Sequence, residues 1–154
     1  MKLSQILKPE AIKVIASASS KKRLLQDIGE LAQSAYGLDQ SLVVEALQER
    51  ENLGPTGVGH GVALPHARLE GMDQVLGAFI ALEKPVDFAA IDRQPVDVIF
   101  ALFAPENAGV EHLKALALVS RSLRNQALCK KLRSNSDPAT LYAILTSDQD
   151  MQAA

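Results

Sequence analysis

The spacing of apolar residues changes twice along this chain of 154 residues, and this change limits the folds open to it. Residues 19–51 and 111–146 carry apolar side chains at helical spacing, whereas the segment between them holds short runs typical of strands. Strands grouped between helices favour a sheet with helices packed against it. The sequence therefore predicts an α/β fold in which a mixed parallel and antiparallel sheet is flanked by helices on both faces of a single domain.

Local signals place the ends of the predicted elements. Ser19 or Ser20 can cap the first helix, and Gly37 can end it in a left-handed conformation. Asp39 can cap a second helix that runs to about Glu51. The other predicted elements are strands at 11–16, 75–82 and 96–104, and helices at 111–124, at about 127–132 and from 138 to about 146.

Composition and charge argue against several classes of protein. The 16 Lys+Arg and 18 Asp+Glu form no basic stripe interleaved with aromatic residues, so no nucleic-acid partner is expected. The single cysteine, Cys129, excludes an internal disulfide framework. The longest apolar run, 96–105, is interrupted by Asp97 and is shorter than the ~20 residues of a membrane helix. We therefore expect a cytoplasmic protein that does not insert into a membrane.

A glycine-rich stretch at residues 52–66, NLGPTGVGHGVALPH, carries the strongest functional signal. Gly57, Gly59 and Gly61 stand at alternate positions, where they allow a sharp bend and can direct backbone N–H groups toward an anion. No Gly-Lys-Ser/Thr follows, so the stretch is not a P-loop. A tight turn that leads into a strand is the structural alternative.

His66 ends this stretch and is the candidate nucleophile. The run from Val62 predicts a short strand with His66 at its end, where the side chain is open to solvent. Pro65 fixes its own φ at about −65° and restricts the residue before it, which limits the freedom of this segment. A neutral imidazole attacks phosphorus readily, and with a pKa of about 6.5 most of the imidazole is neutral at pH 7. A structural role is the common alternative for a histidine at a strand end.

Other polar residues strengthen the functional interpretation. Arg50 and Arg68 flank the stretch, and His112 opens a predicted helix just after a strand. Phosphoryl transfer depends on positioning and charge stabilisation, which arginine, imidazole and backbone donors provide. A remote alternative is a zinc hydrolase that uses His60, His66 and His112. No HExxH pattern and no carboxylate at a ligand spacing supports this alternative, so we expect no metal.

A family resemblance covers nearly the whole chain. Residues 50–66, RENLGPTGVGHGVALPH, resemble the active-site signature of phosphotransferase-system (PTS) enzyme IIA domains of the mannitol/fructose type. The similarity is closest to the nitrogen-related regulatory branch. Residues 94–102, QPVDVIFAL, and 112–116, HLKAL, match further family segments in the same order. The resemblance implies one type-2 enzyme IIA domain over residues 1–154, with a mixed sheet flanked by helices.

The resemblance also implies roles for individual residues. His66 corresponds to the phosphorylated histidine, His112 to a second active-centre histidine, and Arg50 to an arginine near the phosphate. The candidate phosphate-binding residues are Thr56, Gly57, Gly59, His60 and Gly61. His60 departs from the pattern, since nitrogen-type members often carry Asn there.

The partners that the resemblance implies are proteins. The implied donor is an HPr-like phosphocarrier (NPr type), and the implied targets are regulated proteins such as ion-transport or sensor-kinase components. An alternative role is a sugar-transport enzyme IIA that passes the group to an enzyme IIB. The signature and the absence of an attached IIB favour regulation. The chain would then be an enzyme only in the sense that it forms a phosphohistidine intermediate, with no cofactor and no small-molecule turnover of its own.

Overall fold

The computed structural model describes the backbone of residues 1–153 and the side chains of residues 1–147. This part of the chain forms six helices and six strands. The helices are α1 (Leu3–Ile6), α2 (Lys21–Tyr36), α3 (Gln40–Leu53), α4 (Val110–Leu123), α5 (Gln126–Arg133) and α6 (Pro138–Ala153). The strands are β1 (Leu7–Ile15), β2 (Gly57–Gly59), β3 (Val62–Ala63), β4 (His66–Leu69), β5 (Leu76–Val86) and β6 (Val96–Pro105).

The strands form one mixed sheet of six strands in the order β1-β5-β6-β3-β2, with β4 also paired to β6. β1 is parallel to β5, and both β3 and β4 are parallel to β6. The β5–β6 and β2–β3 pairs are antiparallel. Every residue of β6 except the half-buried Asp97 is buried, so both faces of the sheet are covered there. The predicted single-domain α/β fold is confirmed.

The predicted caps of α2 and α3 are also confirmed. Ser20 Oγ accepts a hydrogen bond from the Arg23 N–H at 3.1 Å, and Gly37 ends α2 with a φ of +71°. Asp39 accepts from the Leu42 N–H at 3.1 Å and so caps α3. Within the described residues, no helix combines the length and the hydrophobicity that a membrane span requires.

Several element boundaries differ from the prediction. The short helix Leu3–Ile6 was not predicted, and β1 begins at Leu7, where the sequence predicted a strand only from residue 11. Pro9 lies within β1, which is tolerated because β1 is an edge strand of the sheet. The last helix continues to Ala153, beyond its predicted end near Thr146.

The predicted position of His66 at the end of a strand is wrong. The strand β3 ends at Ala63, and His66 begins the next strand, β4, where it pairs with Leu102 of β6. Pro65 separates the two strands because it has no N–H for the ladder, although its carbonyl accepts from the Leu102 N–H at 2.9 Å. His66 is consequently half-buried at the start of β4 and only partly exposed to solvent.

Close packing of the β2–β3 hairpin against neighbouring residues explains the glycines at alternate positions. A Cβ on Gly57 would lie 2.7 Å from the Cβ of Ala90, which is too close for two carbon atoms. Gly61 has a φ of +78°, and a Cβ there would lie 2.6 Å from Nη2 of Arg133. His60 at the tip of the hairpin has a φ of +57°. The glycines thus let the hairpin lie close to its neighbours.

Candidate functional site

Three elements bring polar side chains together around His66. Arg50 lies in the last turn of α3, His66 begins β4, and His112 is the third residue of α4. Arg50 Nε lies 3.3 Å from His66 Nε2. The imidazole centroids of His66 and His112 are 5.6 Å apart, with the rings tilted by 49°. The structure therefore places in one site the three residues that the sequence marked as catalytic candidates.

The contacts of the His66 ring define its tautomer. Nδ1 lies 2.9 Å from the Leu64 carbonyl oxygen, and a carbonyl can only accept a hydrogen bond. Nδ1 therefore carries the proton. Nε2 is then the unprotonated nitrogen and accepts from the Arg50 Nε–H. Both contacts require the same neutral tautomer, which leaves a lone pair on Nε2.

The surroundings of His66 keep its ring neutral at pH 7. Burial has the largest effect and lowers the pKa of His66 below its usual value of 6.5. The hydrogen bond to Leu64 opposes this shift, the Arg50 charge lowers the pKa further, and the Glu51 charge raises it. The net result favours a neutral nucleophile over an imidazolium ion.

The Arg50 side chain contacts both the C-terminal end of α3 and the imidazole of His66. Its Nη1 donates to the Gly54 carbonyl at 3.1 Å, while its Nε faces His66. A guanidinium has five N–H donors in one plane. Arg50 can therefore bind oxygen atoms of a group attached at His66 Nε2 while it stays anchored to the end of α3.

His112 contributes a buried neutral imidazole. Burial lowers its pKa from 6.5 to about 4, and the charges of His66 and Arg68 act in the same direction. His112 is only 4% exposed, and its Nδ1 has no hydrogen-bond partner among the described residues. A buried nitrogen without a partner is unfavourable, so a new acceptor or donor that reached His112 would be stabilised.

The other predicted site residues make contacts away from this cluster. The buried Thr56 donates its hydroxyl to the Glu51 carboxylate. His60 donates its N–H to Asp92 Oδ2 at 3.0 Å, and its carbonyl accepts from Arg133 Nη2 at 2.8 Å. Packing of the hairpin accounts for Gly57 and Gly61, and a Cβ on Gly59 would lie 3.3 Å from the same Asp92 oxygen. A phosphate-binding role for these five residues stays a prediction.

The three histidines do not form a common metal site. Among the described side chains, no group of three or more His, Cys, Asp or Glu residues is arranged to hold a metal ion. Only His66 and His112 contact each other. The geometry therefore gives no support to the zinc hydrolase alternative.

Sequence reasoning missed Glu51, which is buried and follows Arg50 on α3. Its carboxylate forms an ion pair with Lys21 and accepts the hydrogen bond from Thr56. Val43 and Leu47 are buried on α3 at spacings of four residues, and Glu51 is the next position of that stripe. A carboxylate in an apolar stripe is the signal that could have identified it.

Comparison with known proteins assigns the family. Residues 5–148 match the family model described as "Phosphoenolpyruvate-dependent sugar phosphotransferase system, EIIA 2". The match covers most of the chain. The chain belongs to the EIIA 2 family of the phosphotransferase system, as the resemblance of residues 50–66 indicated.

Within this family, the chain is similar to nitrogen regulatory proteins. It is 43% identical to the nitrogen regulatory protein of Bradyrhizobium diazoefficiens over 145 residues, which cover 94% of this chain and 95% of that protein. It is 39% identical to the nitrogen regulatory protein of Escherichia coli over 150 residues, which cover 97% and 92% of the two chains. The crystal structure of the nitrogen regulatory protein IIA-Ntr from Neisseria meningitidis matches with a TM-score of 0.85 at 40% identity, covering 94% of this chain and 99% of that one. The predicted similarity to the nitrogen-related branch is confirmed.

His112 should make the stability of the fold depend on pH. Its folded pKa of about 4 lies below the ordinary value of 6.5, so the unfolded chain takes up the proton first as the pH falls. Stability is therefore lost between pH 6.5 and pH 4, by about 3 kcal/mol in total. His112→Gln cannot protonate and should lack this component. Urea unfolding of both proteins across this pH range checks the difference, and parallel pH profiles would contradict it.

Proposed function

We propose that His66 accepts a phosphoryl group on Nε2 from an HPr-like phosphocarrier of the NPr type, and that this group controls the binding of regulatory target proteins. The tautomer of His66 carries the proposal. A proton held on Nδ1 by Leu64 leaves Nε2 unprotonated, with its lone pair directed at the Arg50 guanidinium. The similarity to nitrogen regulatory proteins supports the regulatory part. The protein would act in the cytoplasm as a phosphoprotein intermediate, with no turnover of a small molecule.

The transfer step needs no proton movement at His66. The Arg50 Nε–H first releases the Nε2 lone pair, which attacks phosphorus. The bond from phosphorus to the donor's own atom breaks, and that electron pair returns to the donor. His66 keeps the proton on Nδ1, and its ring gains positive character. The hydrogen bond to the Leu64 carbonyl, 2.9 Å long, then becomes charge-assisted and stabilises the product.

Arg50 and His112 support the bound group in this proposal. A protein-bound phosphoryl group carries about −1.5 to −2 charges at neutral pH. Arg50 contacts the acceptor nitrogen, so its guanidinium is positioned to bind the phosphoryl oxygens. The same charge raises the pKa of His112 from about 4, which favours the donor form of that imidazole. His112 would stabilise the phosphoryl group and would not accept it.

The family description favours one alternative, a sugar-transport IIA protein that passes the group to an enzyme IIB. The chemistry at His66 would be the same, and only the acceptor would differ. Similarity to the nitrogen regulatory proteins favours the first proposal. Rapid loss of the phosphoryl group to a purified IIB of the fructose or mannitol type would favour the alternative.

Replacement of His66 tests the acceptor directly. His66→Ala should abolish labelling by a phosphorylated HPr-like donor, because the only proposed acceptor nitrogen is lost. Circular dichroism should show that the fold is kept. The wild-type label should be lost in acid and stable in base, as a phosphoramidate is. Uptake of label by His66→Ala, or an acid-stable label on the wild type, would contradict the assignment. The His112→Ala variant, in contrast, should still be labelled once, at His66, but more slowly.

Replacement of Arg50 tests the role of the guanidinium. Arg50→Ala should slow phosphoryl transfer by about ten- to a hundred-fold, because a charge-assisted hydrogen bond contributes roughly 1.5–3 kcal/mol. Arg50→Lys keeps the charge but not the planar set of donors, so it should recover only part of the rate. The exposed Arg121 of α4 offers a matched control, and Arg121→Ala should transfer at the wild-type rate. The rate of labelling can be measured by quenched flow. An Arg50→Ala variant that kept the wild-type rate would contradict the role of the guanidinium.

A further inference from the structure

A continuous set of polar contacts runs from the start of α2 to the ring of His66. Lys21 Nζ lies 2.6 Å from Glu51 Oε2, and the Thr56 hydroxyl donates to the other oxygen of that carboxylate. The Thr56 carbonyl accepts from the Leu64 N–H at 2.9 Å. The Leu64 carbonyl accepts from His66 Nδ1 at 2.9 Å. Each residue in this path thus holds the next one, and the path ends on the proton that defines the tautomer.

The carboxylate at the centre of the path is deeply buried. The Glu51 side chain is only 1% exposed. A buried charge is unfavourable unless partners compensate it, so Glu51 is tightly bound to its neighbours. Lys21 supplies the opposite charge, and its Nζ also lies 4.6 Å from the centroid of the buried Phe88 ring. The two contacts of Lys21 fix the position of the carboxylate.

Thr56 connects this carboxylate to the segment that carries His66. Its hydroxyl donates to Glu51, and its N–H lies 3.4 Å from Oε2 of the same residue. Its carbonyl faces Leu64. Thr56 is 3% exposed, so the hydrogen bond from its hydroxyl to Glu51 lies inside the protein.

The geometry points to Glu51 and Thr56 as positioning residues for His66: we infer that they hold the Leu64 carbonyl against Nδ1 and so keep Nε2 unprotonated. Arg50, the neighbour of Glu51 on α3, contacts the other ring nitrogen. The end of α3 therefore orients both nitrogens of the imidazole. The consequence for phosphoryl transfer rests on the proposed function, whereas the consequence for the tautomer does not.

Thr56→Val tests this inference because it removes the hydroxyl and keeps the shape of the side chain. Its effect is read from the ¹⁵N chemical shifts of the His66 ring in the unphosphorylated protein, which distinguish a protonated from an unprotonated nitrogen. The wild type should show a protonated Nδ1, and the variant should show a mixture of tautomers. Thr56→Ser retains a hydroxyl and should restore the wild-type spectrum. Transfer to Thr56→Val should be about tenfold slower, as expected for the loss of one hydrogen bond to a charged group.

A matched control uses the same chemistry elsewhere. The Thr140 hydroxyl donates to the Asp137 carboxylate at 2.8 Å at the start of α6, and Thr140→Val should leave both the His66 spectrum and the transfer rate unchanged. Glu51→Gln should shift the tautomer in the same direction as Thr56→Val. If Glu51→Gln does not fold, Thr56→Val and Thr56→Ser still decide the question.

The outcomes separate this inference from the proposed function. An unchanged His66 spectrum in folded Thr56→Val would overturn the positioning role, even if transfer were slower, since a direct phosphate contact would explain that rate. A shifted spectrum in Thr56→Val with rescue in Thr56→Ser would support the role. This result would hold even if the wild-type protein took no label from a phosphocarrier, in which case only the proposed function would fail.

Discussion

The hydrogen bond from His66 Nδ1 to the Leu64 carbonyl determines what this site can do. It fixes the proton on one ring nitrogen and leaves the lone pair of the other beside Arg50. Without it, the Arg50 contact alone would favour this tautomer, and the imidazole would present its nucleophilic lone pair in the right direction for less of the time. The rest of the site is arranged around this one bond.

The fold supplies this bond through a break in the sheet. Pro65 separates β3 from β4, and the chain resumes its pairing with β6 at His66. The Leu64 carbonyl at the break faces the imidazole and thus serves the side chain two residues later. The strand β6, buried over nearly its whole length, holds both short strands in register from one side. Rigid support of this kind lets a short polar segment keep a defined geometry.

Local signals in the sequence were sufficient for the helix ends and for the identity of the site. Ser20, Gly37 and Asp39 act through neighbours within four residues, so their roles follow from the sequence alone. Arg50 and His66 were identified because they begin and end one recognisable stretch. The start of β4 at His66 was not predicted, since it depends on pairing with β6, which lies more than thirty residues later.

Burial by elements distant in sequence also explains why the environments of Glu51 and His112 were not predicted. Glu51 reads as a polar residue near a helix end, yet the fold buries it against Lys21 from the start of α2. His112 reads as the start of a helix, yet burial lowers its pKa to about 4. Both effects arise from elements that are distant in sequence and that meet in the packed structure.

The identity of the nitrogen that the proposed phosphoryl transfer would modify provides the most direct test of this account. The protein, labelled with ¹⁵N in its histidines, can be phosphorylated by an HPr-like donor and examined by ³¹P and ¹⁵N NMR for one-bond coupling between phosphorus and nitrogen. The account predicts coupling to Nε2 of His66, with Nδ1 of the same ring still protonated. Coupling to Nδ1 of His66, or to a nitrogen of another histidine, would contradict it.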